Sequence, residues 1–329
     1  MTALAPTLQA FFADRLAQQR QASPRTVASY RDTLRMLVIF IQGRTGKKPA
    51  ALDWVDLDVE TIVAFLHHLE HDRGNSIRTR NLRLTAIRGL FNYGALRHPE
   101  HAQLIAQVLA IPPKRFDKRI VEYLTDTEVQ ALLAAPNVSR WEGRRDRAMI
   151  ALAIQTGLRV SELTGLNIGD ITLGSHPMLT CTGKGRKQRA VPISAPIGAV
   201  VVTWIKEHGG APQDPLFPTR SGRQLSRDAV AQRVNLHAAT AASTCTTLQG
   251  RKLHPHVLRH TCAMTLLRGG VDTAVIALWL GHSSIRSTTP YLHADLEIKE
   301  KALAMAATPT IKPGRYRPDD TILAFLENL

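Results

Sequence analysis

Cysteine is scarce in this sequence, and the few cysteines form no recognisable pairs. The 329 residues include three of them, Cys181, Cys245 and Cys262, which lie far apart and make no Cys-x-x-Cys motif. Neither a disulfide framework nor a zinc knuckle is indicated, so a reducing cytoplasm is the expected compartment.

Long apolar runs are also missing. The N-terminus, MTALAPTLQAFFADRLAQQR, has no basic segment followed by a continuous apolar stretch, so we expect no signal peptide. No apolar run approaches the length that spans a bilayer. The sequence therefore predicts a soluble, cytoplasmic protein without a membrane partner.

Acidic residues are too few to balance the basic ones. There are 27 Asp and Glu residues against 42 Lys and Arg residues, which gives a net charge of +15. Such an excess favours a polyanionic partner, with nucleic acid ahead of a membrane surface. The alternative, charge that serves solubility alone, fits less well with the clustering of the arginines.

The first third of the chain has helical periodicity. Ser23 is a candidate N-cap with Pro24 at the first helical position, and apolar residues then recur at helical spacing. Further helices are predicted through VETIVAFLHHLEH and SIRTRNLRLTAIRGLFNY. In the last of these, Leu84, Ile87 and Phe91 share one face and should point to a core.

The same segment carries four arginines and no acidic residue between Ser76 and Tyr93. We expect this cluster to contact the phosphate backbone of DNA, although a solvated charged face is the alternative. The predicted contacts are Arg78, Arg80, Arg83 and Arg88.

A composition shift predicts the domain organisation. IPPKRFDKRIVEY has two prolines, four basic residues and little periodicity, which indicates a linker that itself lies along DNA through Lys114 and Arg115. Thr125 and Glu128 then form a predicted capping box. The predicted parts are a helical domain (1–110), a linker (111–124), a second domain (125–305) and a C-terminal tail (306–329).

The second domain begins with a helix that ends at Gly157, a residue typical of helix C-termini. Short strands are predicted in DITLG, MLTCT and QRAVPI, with GKGRK as the turn between the last two. Helices then follow at Pro196–His208, Arg227–Ala242, His256–Arg268 and Thr273–Leu280. The predicted fold class is mainly α with one small antiparallel sheet.

Two basic positions suit the handling of a phosphate. Arg159 lies between the glycine stop of one helix and the Ser161 start of another, where free backbone N–H groups favour an anion. Lys184 lies in a Gly-Lys-Gly turn, where it could donate a proton to a leaving oxygen. Alternatively, Lys184 lies at a hairpin tip that contacts DNA without taking part in catalysis. Its neighbours Arg186, Lys187 and Arg189 are predicted to contact DNA.

The segment LHPHVLRHTCAMTLLRGG resembles a metal site at first sight. It contains no Asp or Glu, which argues against zinc. His256 and Arg259 are three positions apart and share a helical face, which suits a phosphate better. His260 then points elsewhere and supports the site, and His254 precedes the helix. Residues on the buried side are expected to be Leu258, Cys262, Thr265 and Leu266.

Tyr291 is the candidate nucleophile, with His282 nine residues before it. A phenol loses its proton more readily than a serine hydroxyl. Its ester with phosphate keeps enough energy to be resealed without ATP. Pro290 precedes the tyrosine directly, so we expect Tyr291 to begin a helix rather than to lie within one.

Taken in order, these residues resemble the motifs of the tyrosine recombinase (phage integrase) family, in particular Xer-like recombinases and the integrases of transposable elements. TGLRVSEL, GKGRKQRAVPI, HVLRHTCA and LGHSSI followed by the tyrosine carry the resemblance, which runs from about Thr125 to Met305. It implies an N-terminal four-helix domain that forms a C-shaped clamp on duplex DNA with the catalytic domain.

The resemblance also implies a mechanism without metal or cofactor. Tyr291 attacks the scissile phosphate and leaves a 3′-phosphotyrosine and a free 5′-hydroxyl. Arg159 and Arg259 neutralise the phosphate, Lys184 protonates the departing oxygen and His256 is an acid and base. His282 donates a hydrogen bond to the phosphate.

The C-terminal tail predicts a partner. In RPDDTILAFLENL, an aspartate caps a short helix whose apolar stripe contains Ile322, Phe325 and Leu326. This stripe could pack on its own domain. The resemblance instead favours cyclic exchange of tails within a homo-tetramer on two DNA sites, with or without sister recombinases.

The leading hypothesis is a site-specific recombinase, and YLHADLEIKEKAL beyond the tyrosine favours a mobile element. Resolution of chromosome dimers, as by Xer enzymes, is an alternative role. A type IB topoisomerase-like enzyme would share the chemistry but relax supercoils as a monomer. A DNA-binding accessory protein that has lost catalysis is the alternative from another class.

Overall fold

The computed structural model describes residues 4–116, 121–174, 176–183, 188–281, 288 and 291. The chain divides into two compact units, Met1–Lys118 and Arg119–Leu329. The division falls inside the predicted linker 111–124. Each unit has a hydrophobic core of its own.

The first unit is built from helices. They are α1 (Leu4–Ala10), a π-helical continuation (Phe11–Gln19), α2 (Pro24–Thr45), α3 (Val59–His71), α4 (Ile77–Gly94) and α5 (Ala102–Ala110), with 3₁₀ turns at Pro49–Ala51, Trp54–Leu57 and Pro99–His101. The resemblance implies four helices, whereas the described part of this unit has five α-helices. Part of the excess is the helical segment before Gln19, which the sequence periodicity does not predict.

The helix starts and the core of this unit follow from local sequence. The hydroxyl oxygen of Ser23 accepts a hydrogen bond from the N–H of Thr26 at 3.2 Å, which confirms Ser23 as the N-cap of α2. On α4, Leu84, Ile87 and Phe91 are buried as predicted. Each such side chain stabilises the fold by roughly 1.5–3 kcal/mol relative to an exposed one.

The second unit is mainly helical with a small sheet, so the predicted fold class is confirmed. Its elements are α6 (Asp126–Ala134), α7 (Trp141–Thr156), α8 (Val160–Thr164), β1 (Ile171–Thr172), β2 (Met178–Thr182), β3 (Gln188–Pro192), α9 (Ala195–His208), α10 (Arg227–Ala241), α11 (Pro255–Arg268) and α12 (Thr273–Leu280), with 3₁₀ turns at Ile168–Asp170 and Thr246–Leu248. The predicted capping box is present, since the Thr125 N–H donates to the Glu128 carboxylate at 2.9 Å.

The three strands form one antiparallel sheet in the order β1-β2-β3. Cys181 on β2 lies opposite Arg189 on β3. The apolar side chains of Leu179, Cys181 and Val191 are buried on the core side. This register places Arg189 next to the core rather than at the hairpin tip.

Helix α11 occupies the interior of the second unit. It contacts α7, α10 and α12, so its buried surface is broader than a single stripe. Leu258 and Cys262 are buried as predicted, but Thr265 is exposed and Leu266 is only half-buried. The prediction for Thr265 is therefore wrong, because neighbours on several sides, not one amphipathic face, determine which residues are covered.

None of the helices in the described part of the chain is long and apolar enough to cross a membrane.

Candidate active site

Arg159 is positioned by the turn between α7 and α8. Gly157 ends α7 with a φ of 62°, a left-handed conformation that favours glycine, and Arg159 is the N-cap of α8. Its Nη1 donates to Glu162 Oε1 at 2.8 Å and its Nη2 to the carbonyl O of Gly281 at 3.1 Å. The helix begins at Val160, one residue before the predicted start at Ser161. The guanidinium thus lies between the start of α8 and the end of α12.

Glu162 is the carboxylate on which this arrangement depends. Its side chain is 3% exposed and also accepts two hydrogen bonds from Arg189, at 2.9 and 3.2 Å. Burial alone would raise the pKa of Glu162, but the hydrogen bonds from Arg189 and Arg159 outweigh it and lower the pKa to about 2. Glu162 is therefore ionised at neutral pH and orients both arginines.

Arg189 was predicted to contact DNA, and the structure corrects this prediction. Besides its two bonds to Glu162, its Nε donates to the carbonyl O of Trp279 at 3.1 Å. Its side chain is only 13% exposed. All three guanidinium nitrogens are thus committed to the protein interior, because the strand register turns the residue toward α8 and α12.

Arg259 lies on α11 and is turned into the protein. Its Nη1 donates to the carbonyl O of Gly157 at 2.6 Å and its Nη2 to that of Leu280 at 2.7 Å. Burial, together with the nearby charge of Arg159, lowers the pKa of Arg259 to about 10. The group remains a cation at neutral pH, and the end of α12 accepts a hydrogen bond from each of the two arginines.

The histidines of α11 lie in a row rather than on separate faces. His254 is the N-cap of α11, as expected for a residue before the helix, and its ring centroid lies 6.2 Å from that of His256. The rings of His256 and His260 are 6.3 Å apart, so the prediction that His260 points elsewhere is wrong. Positions i and i+4 of a helix are neighbours, which is the physical reason.

His256 itself is exposed at the surface of the second unit. Desolvation by its surroundings lowers its pKa, and the charges of His254, Arg259 and Arg159 lower it further. An exposed, neutral imidazole can donate a proton from one nitrogen and accept one at the other.

Tyr291 lies against α11. Its side chain is 3% exposed and packs with Cys262, and its hydroxyl lies 3.1 Å from His260 Nδ1. Burial raises the pKa of Tyr291, and the charges of Arg259 and Arg159 oppose that rise. The residue is in helical conformation and its N–H donates to the carbonyl O of Thr288 at 3.0 Å.

Several predicted positions lie outside the described residues. They are Lys184, Arg186, Lys187, His282, Pro290 and the tail residues Ile322, Phe325 and Leu326.

The predicted DNA contacts on α4 divide into one exposed and three engaged arginines. Arg78 is exposed. Arg83 donates to Thr33 Oγ1 at 2.9 Å, and Arg88 donates to the carbonyl O of Ile111. Arg80 is 6% exposed and donates to Asn81 Oδ1 at 3.0 Å. The prediction is wrong for Arg80, because its guanidinium lies beneath the chain that leaves α5.

In the predicted linker, Arg115 is exposed, whereas Lys114 forms an ion pair with Glu70 at 2.7 Å. The backbone of Lys114 also exchanges two hydrogen bonds with the Asn81 side chain. This part of the linker is thereby fixed to α4.

Neither Glu162 nor the contact of His260 with the nucleophile was predicted from the sequence. Glu162 follows Arg159 by three residues, which is the spacing of a capping box and was a usable signal. Among the described residues, no group of three or more His, Cys, Asp or Glu side chains could bind a metal ion.

Two family descriptions match the sequence. Residues 122–297 match the phage integrase family, and residues 9–98 match the phage integrase N-terminal SAM-like domain.

Curated relatives match over nearly the whole chain. The putative integrase/recombinase y4rC of Sinorhizobium fredii is 50% identical over 326 residues, which are 99% of this chain and 98% of that protein. The tyrosine recombinase XerC of Pelobacter propionicus is 33% identical over 301 residues, 89% of this chain and 94% of that protein.

Solved structures share the fold. The XerH recombinase in a post-cleavage complex with a difH substrate aligns with a TM-score of 0.68 at 24% identity, covering 87% of this chain and 81% of that one. The Tn1549 transposon integrase with a circular intermediate DNA aligns with a TM-score of 0.66 at 16% identity, covering 91% of this chain and 99% of that one.

Proposed function

This chain belongs to the phage integrase family of tyrosine recombinases, and we propose that Tyr291 is the nucleophile of its site-specific DNA recombination. One observation carries the assignment. Arg159 and Arg259 both donate to carbonyl groups at the end of α12, and both of their charges act on the buried Tyr291 phenol. Two fixed cations beside a phenol fit attack on a phosphodiester.

In the proposed reaction, Tyr291 Oη forms a bond to the scissile phosphorus while the bond from phosphorus to the 5′-oxygen breaks. Arg159 and Arg259 stabilise the charge that develops on the non-bridging oxygens. Lys184 gives its proton to the departing 5′-oxygen. His256 and His282 act at the phosphate as an acid and base and as a hydrogen-bond donor.

Rejoining is the reverse reaction with a new 5′-hydroxyl, so the phosphotyrosine ester conserves the energy of the broken bond. The cations are part of the protein, and this electrostatic stabilisation is of the kind that bound metal ions supply elsewhere. Neither ATP nor a dissociable cofactor enters the proposed scheme.

Covalent capture tests the nucleophile. The purified protein is incubated with duplexes that carry a nick and span the DNA flanking its own gene, and adducts are separated in detergent. Tyr291→Phe should remove the adduct, since it deletes the attacking oxygen. Tyr123→Phe is a matched control, because the Tyr123 hydroxyl contacts Arg268 instead, and it should leave the adduct in place. An adduct that persists in Tyr291→Phe would contradict the assignment.

The proposed partner is double-stranded DNA, with the reaction taking place in the cytoplasm. Among the predicted contacts, Arg78 and Arg115 are exposed and are therefore available to phosphate groups. XerH is bound to DNA in a structure with the same fold, which supports this proposal.

We also propose a homo-tetramer on two DNA sites, joined by the tail residues Ile322, Phe325 and Leu326. The fold occurs in a lambda integrase tetramer bound to a Holliday junction, which supports the oligomer but not the tail exchange. Deletion of residues 319–329 should abolish pairing of two sites and preserve binding to one. Unchanged pairing would overturn the proposed exchange.

We favour a role in the recombination of a mobile element. The alternatives predict different products from the same incubation. Adducts with relaxed plasmids and no recombinants indicate a type IB topoisomerase-like activity, and absence of any adduct indicates an accessory protein. Recombination restricted to plasmid dimers, with or without a sister recombinase, indicates an Xer-type role.

A further inference from the structure

The histidine next to the nucleophile has no assigned role in the reaction described above. His260 Nδ1 lies 3.1 Å from Tyr291 Oη, and the two rings are 5.6 Å apart between centroids. The distance is within hydrogen-bond reach, which is the first requirement for a proton acceptor. With the ring proton on Nε2, His260 Nδ1 has a lone pair for the phenol proton.

The phenol has a proton to lose before or during attack. Tyr291 is 3% exposed, and burial raises its pKa, so the phenol is neutral at physiological pH. A neutral phenol is a weak nucleophile and gains reactivity when a base takes its proton. The question is which group near Oη can do so.

The charged and titratable groups around the phenol differ in this capacity. Arg159 and Arg259 are cations with no acceptor atom. Cys262 lies in the same cluster, but its Sγ donates to the carbonyl O of Gln155 and burial raises the pKa of its thiol to about 12. His256 lies beyond His260, with the two imidazole rings 6.3 Å apart. The imidazole of His260 therefore combines contact with basicity.

We propose that His260 is a further catalytic residue, which accepts the Tyr291 hydroxyl proton as the phenol attacks the phosphate. This inference rests on the proposed role of Tyr291. As Oη bonds to phosphorus, its proton moves to His260 Nδ1, and the departing 5′-oxygen takes a separate proton from Lys184. On rejoining, the imidazolium returns the proton to Oη, and the 5′-hydroxyl proton returns to Lys184.

The test uses single-turnover cleavage of the nicked duplex by the full chain. His260→Asn keeps an acceptor oxygen near the position of Nδ1 but cannot hold the proton, so cleavage should slow by about 100-fold. The rise of the cleavage rate with pH that His260 causes should disappear in this variant. Thr265→Asn, at an exposed position of the same helix, is the matched control and should cleave at the wild-type rate.

Two chemical substitutions separate a base from a structural residue. A fluorinated tyrosine at position 291 has a more acidic phenol. It should raise the cleavage rate of His260→Asn by about tenfold and change the rate of the otherwise wild-type chain little. A substrate with a sulfur leaving atom needs no proton there. It should restore cleavage by Lys184→Ala and not by His260→Asn.

The results that overturn the proposal are distinct from failure of the proposed function. Wild-type cleavage by His260→Asn, with the adduct still lost in Tyr291→Phe, removes only the role of His260. If His260→Asn does not fold, fluorotyrosine in the otherwise wild-type chain decides the matter. If His260 is the base, the pH profile of the cleavage rate should stay in the same place when fluorotyrosine replaces Tyr291. A shift of this profile to lower pH, following the lower pKa of the fluorinated phenol, would overturn the proposal.

Discussion

Two buried carboxylates in the second unit each accept hydrogen bonds from several basic side chains, but the two clusters have different roles. Asp146 on α7 is fully buried and accepts hydrogen bonds from Arg145, Arg233 and His237 at 2.5–3.0 Å. Glu162 on α8 is nearly as buried and accepts from Arg159 and Arg189. Burial raises the pKa of each carboxyl, and the hydrogen bonds from these side chains outweigh it and lower the pKa.

The two clusters differ in the exposure and the further contacts of their arginines. Arg145 is itself buried and donates onward to the carbonyl O of Pro218, so the Asp146 cluster joins parts of the fold to one another. Arg159 is 29% exposed, and its charge lowers the pKa of the proposed nucleophile Tyr291 against the effect of burial. The same ion-pair chemistry thus stabilises the core in one place and orients a reactive group in the other.

Asp146→Asn should have the largest effect on stability. Removing the charge leaves two arginines, Arg145 and Arg233, without their counter-ion, and breaking a buried pair costs about 3–5 kcal/mol. Urea unfolding of the full chain, followed by tryptophan fluorescence, measures the loss. Glu142→Gln on the same helix is the control, because its ion pair with Arg220 is solvent-exposed and its loss should change the stability little.

The molecules of Asp146→Asn that remain folded should cleave DNA at close to the wild-type rate. A cleavage defect as large as that of a Glu162 variant would break the distinction between the two clusters.

Glu162→Gln should have a smaller effect on stability and a larger one on catalysis. The variant leaves Arg159 without the carboxylate that orients it, and loss of one aligned donor to a developing oxyanion costs about 100-fold in rate. Single-turnover cleavage measures this, with DNA affinity recorded in parallel. Asp170→Asn is the control, since that carboxylate caps a turn by accepting the Asn167 N–H at 2.8 Å. Equal cleavage by the two variants would show that Glu162 has no special role.

Much of the site could be predicted because its signals are local. The spacing of His256 and Arg259, the glycine stop before Arg159 and the Thr125 capping box all depend on residues within one helical turn. The structure brings Arg159, Arg259 and Tyr291 together through the end of α12. The resemblance to a family supplied their roles, which spacing alone did not.

The errors involve partners that are distant in sequence. Arg80 and Arg189 belong to basic clusters, and such clusters are usually solvated or bound to phosphate. Arg80 is covered by the chain after α5, where the carbonyl O of Pro112 accepts a hydrogen bond from its guanidinium, and Arg189 is covered by Glu162 and the carbonyl O of Trp279. Nothing in the local pattern distinguishes a surface arginine from one that a distant carboxylate or carbonyl group will cover.

Matched arginine substitutions sharpen the comparison with the smallest expected effects. Arg189 and Arg233 each supply a second arginine to one of the buried carboxylates, with side chains 13% and 29% exposed. A lysine keeps the charge but cannot reproduce a planar bidentate fork. Arg189→Lys gives up two hydrogen bonds to Glu162 and one to Trp279, so Arg159 should be held less firmly and cleavage should slow by about tenfold.

Arg233→Lys is the matched control. It gives up one hydrogen bond to Asp146 and should cost about 1 kcal/mol of stability with cleavage unchanged. Single-turnover rates and urea unfolding of both variants decide the point. If Arg189→Lys loses stability but not rate, Arg189 belongs with the residues that stabilise the fold, and the orienting role is confined to Glu162.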